Sequence, residues 1–151
     1  MLECHTSPRM FTSFLARNSA NESSLQSCRN GCGLSLAELH AKNKMKAIEV
    51  GGVEDHVHAL LSLPATMAIS KAAQLIKGGS SKWVHETFPE YRLFNWQEKY
   101  GAFGVSVSQV DNVVDYIRNQ PAHHRKMTFQ EEFLELLKKH RIEFDERYLW
   151  D

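Results

Sequence analysis

Apolar residues after residue 44 fall into patterns that predict two strands followed by a long helix. Met45–Val50 has the apolar character of a strand, and Gly51-Gly52 marks a turn. His56–Leu63 predicts a second strand. Apolar positions then recur at helical spacing over Ile69–Glu86, which predicts a helix with one buried side.

The second half of the chain predicts one more strand and two more helices. Ala102–Ser108 alternates apolar and polar residues, as a half-buried strand does. Ser108 is expected to cap a helix that runs to about Gln120, and Thr128 with Glu131 is expected to form a capping box for the last helix. This order of elements predicts an α+β fold, in which helices pack on an antiparallel sheet.

Residues 1–41 lack such periodicity and are rich in Ser, Asn, Arg and Cys. They predict a poorly ordered leader, with a helix over Leu34–Lys44. The shift in composition near residue 42 therefore divides the chain into an aberrant N-terminal segment, 1–41, and a folded domain, 42–151.

Length and charge narrow the class of protein. The chain has 151 residues, of which 42% are hydrophobic and 24% charged, so a single globular domain is expected rather than a disordered chain. Eighteen basic residues balance eighteen acidic ones, which argues against a sequence-independent nucleic-acid coat. Because no apolar run is long enough for a membrane helix or a signal peptide, we expect a soluble, cytoplasmic protein with no membrane partner.

Two histidines on the second predicted strand are candidate ligands. His56 and His58 are two residues apart, so their side chains point to the same face of the sheet. Paired imidazoles can bind a metal ion or grip a phosphate. The pattern alone, however, favours two ordinary histidines on a polar strand face.

A tyrosine lies beside the apolar stripe of the next-to-last predicted helix. Tyr116 is roughly 110° from the centre of the stripe formed by Val110, Val113, Val114 and Ile117. Gln120 is one helical turn further on, so it shares the flank of Tyr116. A phenol can act as a nucleophile when it is activated, although the position taken alone favours a half-buried helix tyrosine with its hydroxyl in water. Together with the histidines, this Tyr and Gln would suit metal-assisted phosphoryl transfer.

Four motifs extend this interpretation to a family. The runs G-G-V-x-D-H-V-H-x-L-L-S-L-P, I-K-G-G-S-S-K-W, W-Q-x-x-Y-G-A-F and Y-I-x-N-Q-x-x-H-H occur in this order over about residues 42–151. They closely resemble the single-tyrosine HUH transposases of bacterial insertion sequences, which include the REP-associated tyrosine transposases. The resemblance implies a ferredoxin-like antiparallel sheet with helices packed on it.

The same resemblance implies a mechanism and partners. His56 and His58 would bind the metal, Gln120 would complete the metal site, and Tyr116 would form a 5′-phosphotyrosine link and leave a 3′-hydroxyl. The family acts on single-stranded DNA that carries hairpins, uses Mg²⁺ or Mn²⁺, and forms homodimers in which the tyrosine helix of one subunit often serves the other. Because Mg²⁺ prefers oxygen ligands, a two-histidine site would need the DNA phosphate and water to complete it.

Several further side chains are weaker candidates for DNA contacts. These are Lys77, Lys82, Arg118, His123 and His124. For the lysines and the arginine, solvated surface charge is an equal alternative. For the two histidines, a plain loop after Pro121 is the simpler interpretation.

The N-terminal segment departs from the family, whose members begin with an apolar strand and a helix. Residues 1–41 match neither, although one permitted back-translation, read in another frame, does encode such an opening. We therefore hypothesise a reading-frame shift within this segment, which would leave the sheet without a central strand and with unpaired backbone edges.

Three functions follow from the sequence. The first is a metal-dependent transposase that acts on single-stranded DNA. The second is a remnant that binds hairpin DNA without cutting it, and the third is an α+β domain that binds a metal ion or phosphate in a structural or signalling role. Metal-dependent covalent trapping of DNA separates the first from the second, and DNA affinity separates the second from the third.

Overall fold

The computed structural model describes residues 9–17, 43–53 and 56–150, with the first of these ranges described by its backbone. Four strands form one sheet: β1 (Arg9–Arg17), β2 (Lys46–Gly52), β3 (His56–Ser62) and β4 (Asn95–Val105). Their spatial order is β2-β3-β1-β4, and every neighbouring pair is antiparallel. The predicted α+β class with a ferredoxin-like antiparallel sheet is confirmed.

Helices cover both faces of this sheet. Within the described ranges, four α-helices follow one another: α1 (Ile69–Thr87), α2 (Val110–Arg118), α3 (Gln120–His123) and α4 (Phe129–Lys139). Single 3₁₀ turns lie at Pro89–Tyr91, Val107–Gln109 and Glu146–Tyr148. None of the helices in the described ranges combines the length and apolar character that a membrane span requires.

Strand β1 occupies the centre of the sheet, which corrects one expectation. Arg9–Arg17 pairs with β3 on one side and with β4 on the other. The expectation of a gap at the centre of the sheet is therefore wrong. The backbone of Arg9–Arg17 pairs with both neighbouring strands, so the edges that face it are hydrogen-bonded. The predicted helix over Leu34–Lys44 lies mainly outside the described residues.

Alternation along β3 builds two separate hydrophobic layers. Val57, Ala59 and Leu61 point to one face and pack in a buried cluster with α1. Leu60 points to the other face and packs with Ile117 of α2 and with α4. The even-numbered positions of β3, which include both histidines, therefore face α2 and α4.

Several predicted boundaries differ in the structure. Gly51 and Gly52 are the last two residues of β2 rather than a turn. Strand β4 begins seven residues before the predicted Ala102 and ends before Ser108, which caps nothing; α2 begins at Val110 without a side-chain cap. The chain bends at Asn119, so Gln120 starts the short helix α3.

The capping box of α4 is confirmed. The backbone N–H of Glu131 donates to Thr128 Oγ1 at 3.3 Å, and the N–H of Thr128 donates to Glu131 Oε2 at 2.8 Å. Hydrogen bonds from the backbone and side chain of Thr128 lower the pKa of Glu131. This box fixes the start of the helix that carries the residues described next.

Candidate active site and metal centre

Strand β3 places His56 and His58 side by side under α2 and α4. Both side chains are fully buried, and their rings meet edge to face with centroids 4.7 Å apart. The alternation of the strand produces this arrangement, as the H-x-H spacing predicts. Helices cover this side of the sheet, so the face on which the two histidines lie is buried rather than exposed.

A buried carboxylate on α4 lies at the centre of the site. Glu132 is only 2% exposed, and its Oε2 atom lies 3.0 Å from His124 Nε2, 3.3 Å from His58 Nε2 and 3.5 Å from His56 Nε2. A carboxylate is costly to bury unless other groups pair with it. Three imidazole nitrogens that converge on one oxygen provide this pairing.

The second oxygen of the same carboxylate receives Gln120 and Tyr116. Gln120 Nε2 donates to Glu132 Oε1 at 2.8 Å, and the Tyr116 hydroxyl donates a hydrogen bond to the same atom. Gln120 Oε1 also lies 3.2 Å from His56 Nε2. The four residues that the sequence singles out for catalysis and metal binding are therefore brought together within one chain.

Aromatic rings enclose this cluster. The ring of Tyr116 lies 5.8 Å from that of His58 and 5.5 Å from that of His123, measured between centroids. Phe129 lies 4.6 Å from His56 on the other side. The apolar wall lowers the local dielectric, which strengthens every polar contact inside it.

The donor atoms fit a divalent metal ion. One ligand atom from each of His56, His58, His124 and Glu132 lies within 4.8 Å of the others. In a six-coordinate site with bonds of about 2.0–2.1 Å, neighbouring ligand atoms lie about 2.9 Å apart. Glu132 Oε2 lies 3.0, 3.3 and 3.5 Å from the three imidazole nitrogens, so these donors are already close to the spacing around one ion.

Sequence reasoning missed Glu132 as a functional residue and placed His124 in a plain loop. A signal for Glu132 was present, since it lies one turn from both Phe129 and Leu136 on the buried side of an amphipathic helix. An acidic residue at such a position needs partners. Two of these partners, His56 and His58, come from β3, more than seventy residues earlier in the chain.

The weaker candidates for DNA contacts lie on both sides of the sheet, some on the face opposite the histidines and some near them. Lys77 and Lys82 lie on α1, on the opposite face of the sheet from the histidines. Lys82 forms an exposed ion pair with Glu86. Arg118 lies on α2, where its Nε donates to Glu49 at 2.8 Å, and His123 Nε2 lies 3.7 Å from Glu132.

Lys77 has a structural role that accounts for its position. Its ammonium group donates to the carbonyl oxygens of Gln97, Glu98 and Lys99 at 2.7, 2.9 and 3.0 Å. These carbonyls lie where the pairing of β4 with β1 is irregular. Burial lowers the pKa of Lys77, and the charge of Glu98 acts in the opposite direction. The three donor hydrogens are thus directed at the sheet rather than at solvent.

Gly51 sets the distance between β2 and the helix that carries Tyr116. A Cβ atom at this position would lie 2.6 Å from Ile117 Cγ2 and 2.8 Å from the Ile117 carbonyl oxygen. We expect Gly51→Ala to lower the free energy of unfolding by about 1–3 kcal/mol, because α2 would have to move away from the sheet. Urea unfolding measures this change.

Gly78 offers a matched control for that prediction. It lies in α1, where an added Cβ would meet no atom within 4 Å. Gly78→Ala should therefore stabilise the chain slightly, by up to about 1 kcal/mol, through helix propensity. Equal stability changes at the two glycines would contradict the proposed close approach at Gly51.

Comparison with known proteins adds a family match. The model of the family described as "Transposase IS200 like" matches residues 17–120, which is more than half of the chain. The chain is 27% identical over 96 residues to the transposases for insertion sequence element IS200 of Salmonella typhimurium and Salmonella typhi. The aligned part covers 61% of this chain and 63% of those relatives, so the chain spans less than two thirds of their length.

Two solved structures share the fold. The REP-associated tyrosine transposase bound to a REP hairpin superposes with a TM-score of 0.60 at 16% identity, covering 79% of this chain and 69% of that one. A candidate transposase of Deinococcus radiodurans R1 superposes with a TM-score of 0.53 at 18% identity, covering 80% of this chain and 96% of that one.

Proposed function

The chain belongs to the family of IS200-like transposases, and from that premise we propose that it cuts and rejoins single-stranded DNA through a covalent phosphotyrosine intermediate. One observation carries the proposal. The hydroxyl of Tyr116 points into a buried cluster that also holds His56, His58 and Gln120. A phenol placed beside a metal-binding donor set suits nucleophilic phosphoryl transfer.

Tyr116 is the proposed nucleophile. As the phenol proton passes to the Glu132 carboxylate, the Tyr116 oxygen attacks the phosphorus of the scissile phosphodiester and a new bond joins it to the 5′-phosphate. The bond to the 3′-oxygen breaks, and that oxygen takes a proton from water and leaves as a 3′-hydroxyl. The hydrogen bond to Glu132 orients the hydroxyl before attack. Orientation of this kind lowers the barrier because the reacting atoms no longer have to find each other.

A divalent ion, Mg²⁺ or Mn²⁺, is the proposed cofactor. His56, His58, His124 and Glu132 would hold it, with Gln120 as a further oxygen ligand. When bound, it would polarise the phosphodiester and stabilise the charge that develops on its oxygens. The mixture of imidazole and carboxylate donors suits Mn²⁺ better than Mg²⁺, which prefers oxygen ligands alone.

The proposed partner is single-stranded DNA that carries a hairpin. A relative with the same fold is bound to such a hairpin, which supports this choice. We also propose that the chain works in the cytoplasm as a homodimer. Because Tyr116 and the histidines already meet within one chain, each subunit holds a complete set of these residues.

Covalent trapping tests the proposed function. The purified chain is incubated with single-stranded DNA from the ends of its own element, with Mn²⁺ or with a chelator, and separated on a denaturing gel. We expect a slowly migrating protein–DNA adduct that needs the metal. Hairpin binding by folded protein without any adduct would instead support a non-catalytic remnant.

His56→Ala should reduce adduct formation by about 100-fold or more and remove its stimulation by Mn²⁺, because a metal ligand is lost. The gel assay, run over a series of Mn²⁺ concentrations, measures both effects. His85→Ala is the matched control, since His85 lies on α1 and contacts the carbonyl of Phe94 instead. Unchanged, metal-dependent cleavage by folded His56→Ala protein would reject the metal-site assignment.

A further inference from the structure

Two cavities meet at Tyr116. The larger, of about 490 Å³, runs between the end of β4, α2 and α4, and the smaller, of about 340 Å³, opens beside His123 and Glu132. Tyr116, Leu136 and Lys139 line both of them. A phosphodiester that reaches Tyr116 would thus have a cavity on either side for the nucleotides that flank it.

The larger cavity has the size and chemistry of a nucleobase site. Its volume falls in the range of small-molecule pockets, roughly 300–1,000 Å³. Phe103, Val113 and Leu136 supply apolar surface, against which the flat face of a base can pack. Lys139 and His140 also line this cavity, and no carboxylate among the described residues does. The charge of the cavity therefore suits a phosphate backbone.

Two amide side chains lie at the rim of this cavity. Asn112 is one helical turn before Tyr116 on α2, so both side chains project from the same flank. Asn112 Nδ2 donates to Gln109 Oε1 at 3.0 Å, which links the two amides. Each amide carries more hydrogen-bonding groups than that one bond uses, and side-chain amides can pair with the edges of bases.

We propose that this cavity receives a nucleobase next to the scissile phosphate and that Asn112, supported by Gln109, reads the edge of that base. The proposal deepens the proposed function and rests on it. Unpaired DNA is the form that fits, because a base must leave its stack to enter a pocket. Asn112 would then set sequence preference at one position beside the cut.

A binding selection tests the proposal without any cleavage. Tyr116→Phe protein is mixed, in chelator, with a pool of single-stranded DNA that has one fixed hairpin flanked by random positions. The bound DNA is recovered and sequenced. We expect one position to show a base preference of about fivefold or more, as a direct amide contact would give.

The variant Asn112→Leu, added to Tyr116→Phe, should abolish the preference at that position and leave other positions unchanged. Asn112 is exposed, so its loss should not disturb the core. Gln74→Leu is the matched control: Gln74 is an exposed amide on α1 that bonds Lys71 three residues away, as Asn112 bonds Gln109. This control should keep the preference.

Other outcomes overturn the inference. A preference that survives Asn112→Leu, or bound DNA without any preferred base, would exclude base reading by this residue. Failure of the pool to bind at all would overturn both this inference and the DNA partner of the proposed function. Binding with the expected preference, but no covalent adduct from the unchanged chain, would reject the proposed cleavage and leave the base site supported.

Discussion

Tyr116→Phe abolishes the covalent protein–DNA adduct while single-stranded DNA binding stays within about twofold of the unchanged chain; this is the largest effect we expect. The substitution removes only the hydroxyl oxygen, which is the atom that would bond to phosphorus. The ring remains, so its contacts with His58 and His123 are kept. The loss should therefore concern chemistry rather than folding.

Two measurements separate chemistry from binding. Denaturing gels with Mn²⁺ quantify the adduct, and fluorescence anisotropy with labelled hairpin DNA in chelator gives the affinity. Tyr148→Phe is a suitable control because Tyr148 is 63% exposed in a 3₁₀ turn outside the cluster. An adduct of normal yield from Tyr116→Phe would show that another residue is the nucleophile.

Glu132→Gln is expected to weaken Mn²⁺ binding by about 100-fold in the absence of DNA. The carboxylate is the anionic member of the four-residue donor set, and its Oε2 atom faces all three imidazole nitrogens. A neutral amide of the same size keeps the shape of the side chain but is a much poorer ligand for a cation. We therefore expect Glu132→Gln to weaken Mn²⁺ binding more than a substitution that alters only the packing around the site.

Isothermal titration with Mn²⁺ measures this prediction directly. Glu135→Gln is the matched control, since Glu135 is exposed on the same helix and lies outside the donor set. Thermal unfolding in chelator shows whether Glu132→Gln is folded. Mn²⁺ affinity that is equal in folded Glu132→Gln and in the unchanged chain would exclude this carboxylate as a ligand.

The hydrophobic pattern of residues 1–41 did not predict the strand Arg9–Arg17. Residues 1–41 have no clear period, and yet Arg9–Arg17 takes the central place in the sheet. Backbone hydrogen bonds hold a strand whatever its side-chain pattern, so a missing pattern does not exclude a strand. The family match also begins inside this segment, at residue 17.

A reading-frame shift within residues 1–41 remains our proposal for the departure from the family's opening. The sequence of the gene tests it. Another frame across these codons should encode an apolar strand and helix of the family type. A gene that encodes no such peptide in any frame would reject the proposal.

The sequence by itself determined the elements whose signals are local. The capping box at Thr128 fixed the start of the last helix, and the H-x-H spacing in β3 placed both imidazoles on one face. Such short-range rules depend only on backbone geometry, which is why they could be applied without a fold.

Only the tertiary structure decided what these residues meet. Glu132 of α4 meets His56 and His58 of β3 across more than seventy residues of chain, and His124, which directly follows α3, joins them. No local period encodes that approach, since it depends on how two hydrophobic layers cover the sheet. The same packing placed Lys77 and Lys82 on the far side and gave Tyr116 its carboxylate partner.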